Sequence, residues 1–184
     1  VPKDADIKLF LKECEPQFVL FGIPEDIGVR ANFGRPGADS AWESAIKSIA
    51  NLQHNRFCKG YNLLILGQLD VSQQMHEIQQ LDFNKTDERK KMSELVVQID
   101  KEVAHIITTI VKAGKIPIVI GGGHNNAYGN IKGAALGLQE AGKIKKAQIN
   151  VINFDAHADF RALEGRHSGN GFSYAMQEGY LNKY

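Results

Sequence analysis

The residue types best suited to chemistry lie in the segment 153–159, where Asp155, His157 and Asp159 alternate directly after an apolar run. Alternate side chains of an extended chain point the same way, so two carboxylates and an imidazole are expected to project together. Such ligands suit a hard or borderline divalent cation. The alternative is that an aspartate caps a following helix, but a cap needs one carboxylate, and two close carboxylates repel without a cation. The spacing therefore favours a metal site.

A second candidate is the run Gly121-Gly122-Gly123-His124-Asn125, which follows the apolar residues 116–120. Glycines let the backbone turn sharply and approach another group closely. The rival interpretation is a phosphate-binding loop, but neither G-x-G-x-x-G nor G-x-x-x-x-G-K-[ST] is present, which disfavours a nucleotide-binding domain. A lone histidine after glycines is more often structural. Because open α/β sheets build their sites at the carboxyl ends of strands, we expect His124 to join the aspartates as a further ligand.

Four short apolar runs predict the strands that position these residues. They are continuous rather than alternating in polarity, as expected for a parallel sheet covered by helices. Strands that alternate with helices along the chain indicate an α/β fold, and we predict a three-layer architecture: a parallel sheet with helices on both faces. The predicted strands are Phe18–Gly22, Asn62–Leu66, Ile116–Ile120 and Ile149–Phe154.

Helical periodicity is clearest between Met92 and Ile110, where apolar residues recur on one face of a helix. Gly114 is well placed to end that helix. Two further helices are predicted, one around Ala38–Ala50 and one after Asn126. The polar segment 68–91 is expected to be a surface excursion that holds at most one short helix.

The composition bounds the partners and the compartment. Twenty-two basic and 21 acidic residues leave 184 residues with a net charge of +1, which gives no reason to expect nucleic acid or an anionic membrane as a partner. No apolar run approaches the roughly 18 residues that span a bilayer. Cys14 and Cys58 lie in no metal-binding pattern. Their number allows one disulfide, but two isolated thiols are more typical of a reduced, cytoplasmic protein.

Along most of its length the chain resembles the ureohydrolase superfamily of arginases, agmatinases and formimidoylglutamases. The resemblance rests on the two motifs above and on three further stretches. It implies an arginase-like fold and two Mn²⁺ ions, which activate the water that attacks an amidine carbon. The further stretches are Gly22-Ile23-Pro24-Glu25-Asp26, Gly34-Arg35-Pro36-Gly37-Ala38 and Ser168-Gly169-Asn170-Gly171-Phe172.

By motif, the resemblance assigns His124, Asp155 and Asp159 to one manganese ion. It assigns His157 and a bridging Asp155 to the other ion. It also implies that Asp159 passes a proton to the leaving nitrogen. Arg161 is the best candidate to bind a substrate carboxylate by bidentate pairing, and a solvated surface arginine is the alternative.

Other polar residues near the motifs have candidate roles. Asn125 and Asn170 are predicted polar contacts for the substrate, and His167 is a candidate catalytic proton shuttle on a flexible loop. Glu164 and Arg166 are expected to form a surface pair that contributes little to stability.

Three departures from the family pattern shape the assignment. The usual loop G-G-D-H-S has Gly123 and Asn125 here, so a carboxylate that would orient His124 is missing. Ser168 stands where arginases and agmatinases begin an H-G-x-P-F pattern, which favours the formimidoylglutamase branch. The later S-x-D-x-D motif, which supplies further bridging carboxylates, does not occur before Tyr184.

The resemblance therefore predicts a binuclear manganese hydrolase of linear amidines. N-formimidoyl-glutamate, cleaved to glutamate and formamide, is favoured over arginine or agmatine. Residues 1–184 are expected to be the N-terminal part of a single domain truncated at the C-terminus, inactive alone, whose full-length form assembles as a trimer or hexamer. The alternatives left open are a zinc deacetylase of related fold and a degenerate member that keeps the fold for binding or assembly.

Overall fold

The main sheet consists of three parallel strands in this computed structural model, which describes residues 6–57 and 59–184. Strand β1 (Phe18–Ile23) lies between β2 (Leu63–Gln68) and β3 (Ile116–Gly121). Both neighbours run parallel to β1, and Gly22 lies opposite Gln68 on one side and Ile120 on the other. Three of the four predicted strands are confirmed, and their carboxyl ends meet at one edge of the sheet. Cys58 lies outside the described residues.

Seven α-helices occur in the described residues. Three of them confirm the predicted helices, and the longest ends just before Gly114, whose φ of 78° a glycine adopts without strain. Among the helices of residues 6–57 and 59–184, none combines the length and the apolar character that crossing a membrane requires. The helices are α1 (Ile7–Glu13), α2 (Ile27–Ala31), α3 (Ala41–Ala50), α4 (Ser72–Ile78), α5 (Thr86–Lys112), α6 (Asn126–Glu140) and α7 (Gly171–Gln177).

Helices cover both faces of the main sheet. On one face, Val19, Phe21 and Ile23 of β1 join a buried apolar cluster to which α5 contributes most of its apolar stripe. On the opposite face, Gly22 lies directly against the indole of Trp42 from α3, so that a Cβ at this position would collide with the ring. The alternation of β1 side chains between the faces thus separates the two helix layers. The predicted three-layer architecture is confirmed.

The segment after β2 is more deeply packed than the sequence indicates. It does contain a single short helix before α5, namely α4, but Val71 and Ile78 at its two ends are buried in the main apolar cluster. The expectation of a surface excursion is therefore wrong for this pair. Val71, Met75 and Ile78 recur at helical spacing over only two turns, which is too short a run to give a strong periodic pattern.

A second sheet holds the last part of the chain. Strand β4 (Ile149–Asn150) pairs in parallel with β5 (Leu181–Lys183) and packs near α6 and α7. The predicted continuation of β4 to Phe154 is wrong: residues 152–154 make no backbone–backbone hydrogen bond within the described part of the chain. The side chain of Phe154 is 97% exposed. An apolar run becomes a strand only where another strand completes its hydrogen bonds, and the sequence of the run alone does not show whether such a strand is present.

Candidate metal centre

The loop after β3 carries His124 and turns directly into α6. Gly123 at the turn donates its backbone N–H to the carbonyl of Glu25, at 2.8 Å. A Cβ at Gly122 would collide with the main chain of Glu25, so this close approach requires a glycine. Because α6 begins at Asn126, His124 is fixed between a strand end and a helix start.

The imidazole of His124 contacts two carboxylates. Its Nδ1 lies 3.0 Å from Oδ2 of Asp155 and 2.6 Å from Oδ2 of Asp159. One ligand atom from each of these three residues lies within 4.8 Å of the others. The ring also packs edge-on against Phe172, with the ring centroids 5.5 Å apart. The structure thus brings together three of the four predicted ligands from two separate segments.

The two aspartates converge through a looped segment rather than an extended strand. Asp159 has a φ of 46°, in the left-handed region that aspartate enters more readily than most residues. Asp155 accepts a hydrogen bond from the backbone N–H of His157, at 2.8 Å. This hydrogen bond lowers the pKa of Asp155, with smaller contributions from the nearby imidazoles. The carboxylate therefore stays ionised well into the acidic range, as a metal ligand must.

His157 lies outside this three-residue group. Its side chain is 82% exposed, and its Nδ1 is 3.6 Å from Oδ1 of Asp155. Because residues 153–159 are not extended, the alternation that predicted three side chains on one side does not hold here. His157 stays a predicted ligand, one that would have to reorient to join a second ion.

The donor set fits part of a manganese site. One imidazole nitrogen and two carboxylate oxygens within 4.8 Å of one another are the hard and borderline ligands that Mn²⁺ accepts. Nδ1 of His124 carries at most one proton, so it can donate a hydrogen bond to only one of the two carboxylates at a time. A divalent cation would satisfy all three groups together. Three ligands are too few for two ions, so the described residues supply a partial site.

His167 is buried, with its side chain about 6% exposed, and it forms the cap of a short turn at residues 168–170. Its Nδ1 accepts the backbone N–H of Gly169 at 3.1 Å, so the proton of the neutral ring sits on Nε2, 3.2 Å from Oε1 of Glu164. Burial lowers the pKa of His167, against the raising effect of Glu164. The ring is therefore neutral at pH 7. It lies in a different cavity from the metal group, so its proton-shuttle role stays a prediction.

That cavity, of about 410 Å³, also contains Arg161. The Arg161 guanidinium donates to Oδ1 of Asn32 at 2.6 Å and to Oε1 of Glu164 at 2.9 Å. Arg89 and Lys90 from the start of α5 line the same cavity, which is therefore rich in cations. The surroundings can accept an anionic group, and the predicted role of Arg161 stays a prediction.

The two predicted asparagine contacts are both fully buried. Asn125 points its amide nitrogen at Oε1 of Glu25, at 3.0 Å. Asn170 accepts from Arg166 and donates to the carbonyls of Ala162 and Gly165. Their role in substrate binding stays a prediction, because both amides are directed at protein groups.

The sequence pattern did not predict the buried ion pair between Arg166 and Asp100. Arg166 does not pair with Glu164 at the surface; its guanidinium makes two bonds, of 2.8 and 3.2 Å, to the carboxylate of Asp100 on α5. The guanidinium also lies between the rings of Tyr128 and Tyr174, 4.8 and 5.0 Å from their centroids. Burial raises the pKa of Asp100 to about 6, against the opposing effect of Arg166. Asp100 falls on the apolar stripe of α5, which was the available signal.

Glu25 is a further buried acid to which the sequence pattern assigned no role. Its side chain is 0% exposed and accepts from the backbone N–H of Ile27 and from the amides of Asn125 and Asn126, at 2.8, 3.0 and 2.6 Å. Burial raises the pKa of Glu25, and these hydrogen bonds oppose the rise. The signal available in the sequence was a charged residue directly after a buried strand.

Known proteins are similar to this chain in sequence, and solved structures are similar to it in fold. A formimidoylglutamase from Aromatoleum aromaticum is 29% identical over 167 residues, which are 90% of this chain and 44% of that protein. An arginase from Brevibacillus brevis is 31% identical over 166 residues, 88% of this chain and 48% of that protein. The chain thus spans less than half the length of these curated relatives.

Solved structures show the same architecture. A Trypanosoma cruzi formiminoglutamase crystallised with Mn²⁺ has a TM-score of 0.63 and 22% identity, covering 96% of this chain and 56% of its own. A hypothetical agmatinase from Burkholderia thailandensis has a TM-score of 0.59 and 21% identity, over 92% of this chain and 47% of its own. The model of the Arginase family matches residues 16–184. This chain belongs to the arginase family.

Proposed function

We propose that the full-length protein is a binuclear manganese hydrolase that converts N-formimidoyl-glutamate and water into glutamate and formamide. The observation that carries the proposal is the contact of one imidazole nitrogen, Nδ1 of His124, with the carboxylates of both Asp155 and Asp159. Curated relatives named formimidoylglutamase support this substrate, and a relative named arginase supports the wider class of C–N bond hydrolysis. Residues 1–184 would form the N-terminal part of the single catalytic domain.

In this proposal the chain's own residues bind, orient and move protons. His124, Asp155 and Asp159 would hold one Mn²⁺, and His157 would turn inward to join Asp155 at the second. Bound manganese would supply Lewis acidity that makes water nucleophilic at neutral pH. Water adds across the C=N bond of the formimidoyl group, its oxygen to the carbon and one proton to the imino nitrogen. The bond from that carbon to the glutamate nitrogen then breaks as the C=O bond of formamide forms, and Asp159 carries the second water proton to the leaving nitrogen.

Two further residues would bind the substrate and relay protons. The guanidinium of Arg161 would pair with a substrate carboxylate, because guanidinium and carboxylate match in bidentate geometry. Neutral His167 carries its proton on Nε2 and would relay protons between the cavity and solvent. Glutamate carries two carboxylates, whereas agmatine carries none, so a cation-rich cavity favours the formimino substrate.

The setting of the enzyme is part of the same proposal. A balanced net charge of +1 supports a small-molecule substrate rather than nucleic acid or a membrane. The two cysteines and the resemblance support a cytoplasmic homo-oligomer, a trimer or hexamer.

The test uses the purified full-length protein, loaded with Mn²⁺, and three substrates: N-formimidoyl-glutamate, arginine and agmatine. We expect about two manganese ions per chain and release of formamide from the first substrate only. Urea from arginine or agmatine would replace the substrate assignment while keeping the reaction class. Bound manganese without turnover of any substrate would indicate a degenerate member. One zinc ion per chain would favour the deacetylase alternative.

A further inference from the structure

Glu25 holds the His124 loop on both sides, through its backbone carbonyl and through its buried carboxylate. The backbone carbonyl of Glu25 accepts the N–H of Gly123, at 2.8 Å. Its side chain accepts the amides of Asn125 and Asn126, at 3.0 and 2.6 Å. The residues on either side of His124 are therefore both hydrogen-bonded to the segment that follows β1, and His124 lies between these two hydrogen-bonded residues.

The hydrogen-bond chemistry shows that the carboxylate dictates the arrangement. The Glu25 side chain accepts three hydrogen bonds, from the backbone N–H of Ile27 and from the amides of Asn125 and Asn126. Oδ1 of Asn125 and Oδ1 of Asn126 are buried and have no partner within the described residues. Two amides leave their acceptors unsatisfied only where a stronger acceptor fixes their nitrogens. The Glu25 side chain, as the shared acceptor, thus sets the orientation of both amides.

The space beside His124 has no room for the aspartate of the usual G-G-D-H-S loop. A Cβ at Gly123 would lie 3.2 Å from Oε1 of Glu25 and would collide with Oδ1 of Asn125. A carboxylate at residue 123 would therefore compete with both side chains. The three residues Glu25, Gly123 and Asn125 form one set, in which a carboxylate from the β1 segment takes the place of one in the loop.

We propose that Glu25 is a positioning residue of the metal centre: its carboxylate replaces the missing loop carboxylate and fixes His124 against Asp155 and Asp159. The identity of the ion, Mn²⁺, rests on the proposed function, whereas the positioning of the imidazole does not. Hydrogen-bond partners behind metal ligands contribute typically 10- to 100-fold in metal affinity, which sets the expected effect.

The first test compares Glu25→Gln with Asp26→Asn in the full-length protein. Asp26 is the next residue, equally buried, but it accepts from Arg30 and the backbone of Gly37 and does not contact the His124 loop. Both variants lose stability, since each removes a buried acceptor. We expect E25Q to weaken Mn²⁺ binding, measured by titration with EPR detection, roughly 10- to 100-fold, while D26N keeps wild-type affinity.

A second readout follows the imidazole without metal. In the apoprotein, ring nitrogen and proton NMR shifts of His124 report its contact with the two carboxylates. We expect these shifts to move in E25Q and to stay in D26N. Unchanged shifts and unchanged Mn²⁺ affinity in a folded E25Q would overturn the positioning role.

The third variant exchanges the whole set. Glu25→Ala with Gly123→Asp and Asn125→Ser restores the usual loop and removes its competitor. We expect the triple variant to regain most of the Mn²⁺ affinity that Glu25→Ala loses, whereas Gly123→Asp alone weakens binding. No recovery, together with tight binding by Gly123→Asp alone, would contradict the exchange.

These outcomes separate the two proposals. A wild-type protein that binds no Mn²⁺, or that hydrolyses none of the three substrates, would defeat the proposed function. The NMR comparison would still decide whether Glu25 positions His124.

Discussion

A single imidazole nitrogen lies within 3.0 Å of two carboxylates in this chain, an arrangement that a divalent cation would stabilise. Nδ1 of His124 has at most one proton to donate to Asp155 or Asp159. The backbone N–H of His157 also keeps the pKa of Asp155 low, so protonation of that carboxylate does not relieve the repulsion at neutral pH. A bound divalent ion would relieve this repulsion.

We expect the binding of a second manganese ion to depend on His157. Three ligand atoms are already grouped for one ion, whereas the exposed imidazole of His157 lies outside the group. We expect His157→Asn in the full-length protein to lower the manganese content from about two ions per chain to about one. His124→Asn should weaken the first ion instead. His105→Asn, on the exposed face of α5, is the control and should change neither. Manganese content would be measured by plasma emission spectroscopy after dialysis; two ions retained in His157→Asn would remove His157 from the ligand set.

His167 predicts a pH dependence of stability. Its folded-state pKa is lowered by burial, so below about pH 6.5 the unfolded chain binds a proton more readily than the folded chain. The folded state therefore loses stability as the pH falls from 6.5 toward the lowered pKa. The charged groups Arg161 and Arg166 lower that pKa further, and Glu164 opposes them.

We expect His167→Asn to flatten this slope. Its Oδ1 can still accept the N–H of Gly169, but the side chain no longer titrates. Urea unfolding between pH 7 and 5 would measure the difference in slope, with His105→Asn as the control that keeps the wild-type profile. A wild-type slope in His167→Asn would show that the ring does not titrate with a lowered pKa.

At the level of elements, helices α5 and α6 pack closely against each other, and small residues on α6 explain why. Gly129, Gly133 and Gly137 recur every fourth residue on α6 and let its backbone approach α5. A Cβ at Gly133 would lie 2.7 Å from both the carbonyl of Ala104 and Cβ of Ile107. This contact holds the start of α6, and therefore the His124 loop, in place.

Gly133→Val should consequently destabilise the protein. Valine has a slightly better helix propensity than glycine, a gain of a few tenths of a kcal/mol, but overpacking against backbone costs about 1–3 kcal/mol and prevails. Chemical denaturation would measure the loss. Gly60→Val is the control, because nothing lies within 4 Å of that position and we expect little change. Equal midpoints for the two variants would contradict the close packing of α5 and α6.

Elements with a strong local pattern could be predicted from the sequence, and elements defined by distant partners could not. The apolar stripe of α5 and the continuous runs of β1, β2 and β3 are properties of each segment alone. The end of β4 depends on a pairing strand, and β5 has only three residues. Likewise His124 and the aspartates were found by residue type, whereas Glu25 and the Asp100–Arg166 pair depend on burial that only tertiary packing creates.

At the scale of the whole molecule, apolar side chains are unevenly covered. The face of the main sheet that packs against α3 is only partly covered: Ile65, Ile116 and Ile118 on it are each more than 40% exposed. Ile152 and Phe154 before the metal centre are exposed by 83% and 97%. Strand β3 is also the outer strand of the described sheet, so its far edge has unpaired backbone groups. Exposed apolar side chains beside an unpaired strand edge are typical of a contact surface.

Residues 1–184 on their own are therefore expected to self-associate and to have little or no hydrolase activity. The relatives are more than twice as long as the matched region, and the S-x-D-x-D motif expected to supply the further bridging carboxylates does not occur in residues 1–184. We expect the isolated chain to show concentration-dependent mass in light scattering, while the full-length protein forms one defined oligomer. Ile118→Lys places a charge on the exposed face of β3 and should reduce association of the isolated chain, because edge charges oppose strand pairing. Lys115→Gln, just before β3, is the control. A monomeric 184-residue chain would contradict the predicted contact surface. Full turnover by that chain would contradict the prediction that its metal site is incomplete.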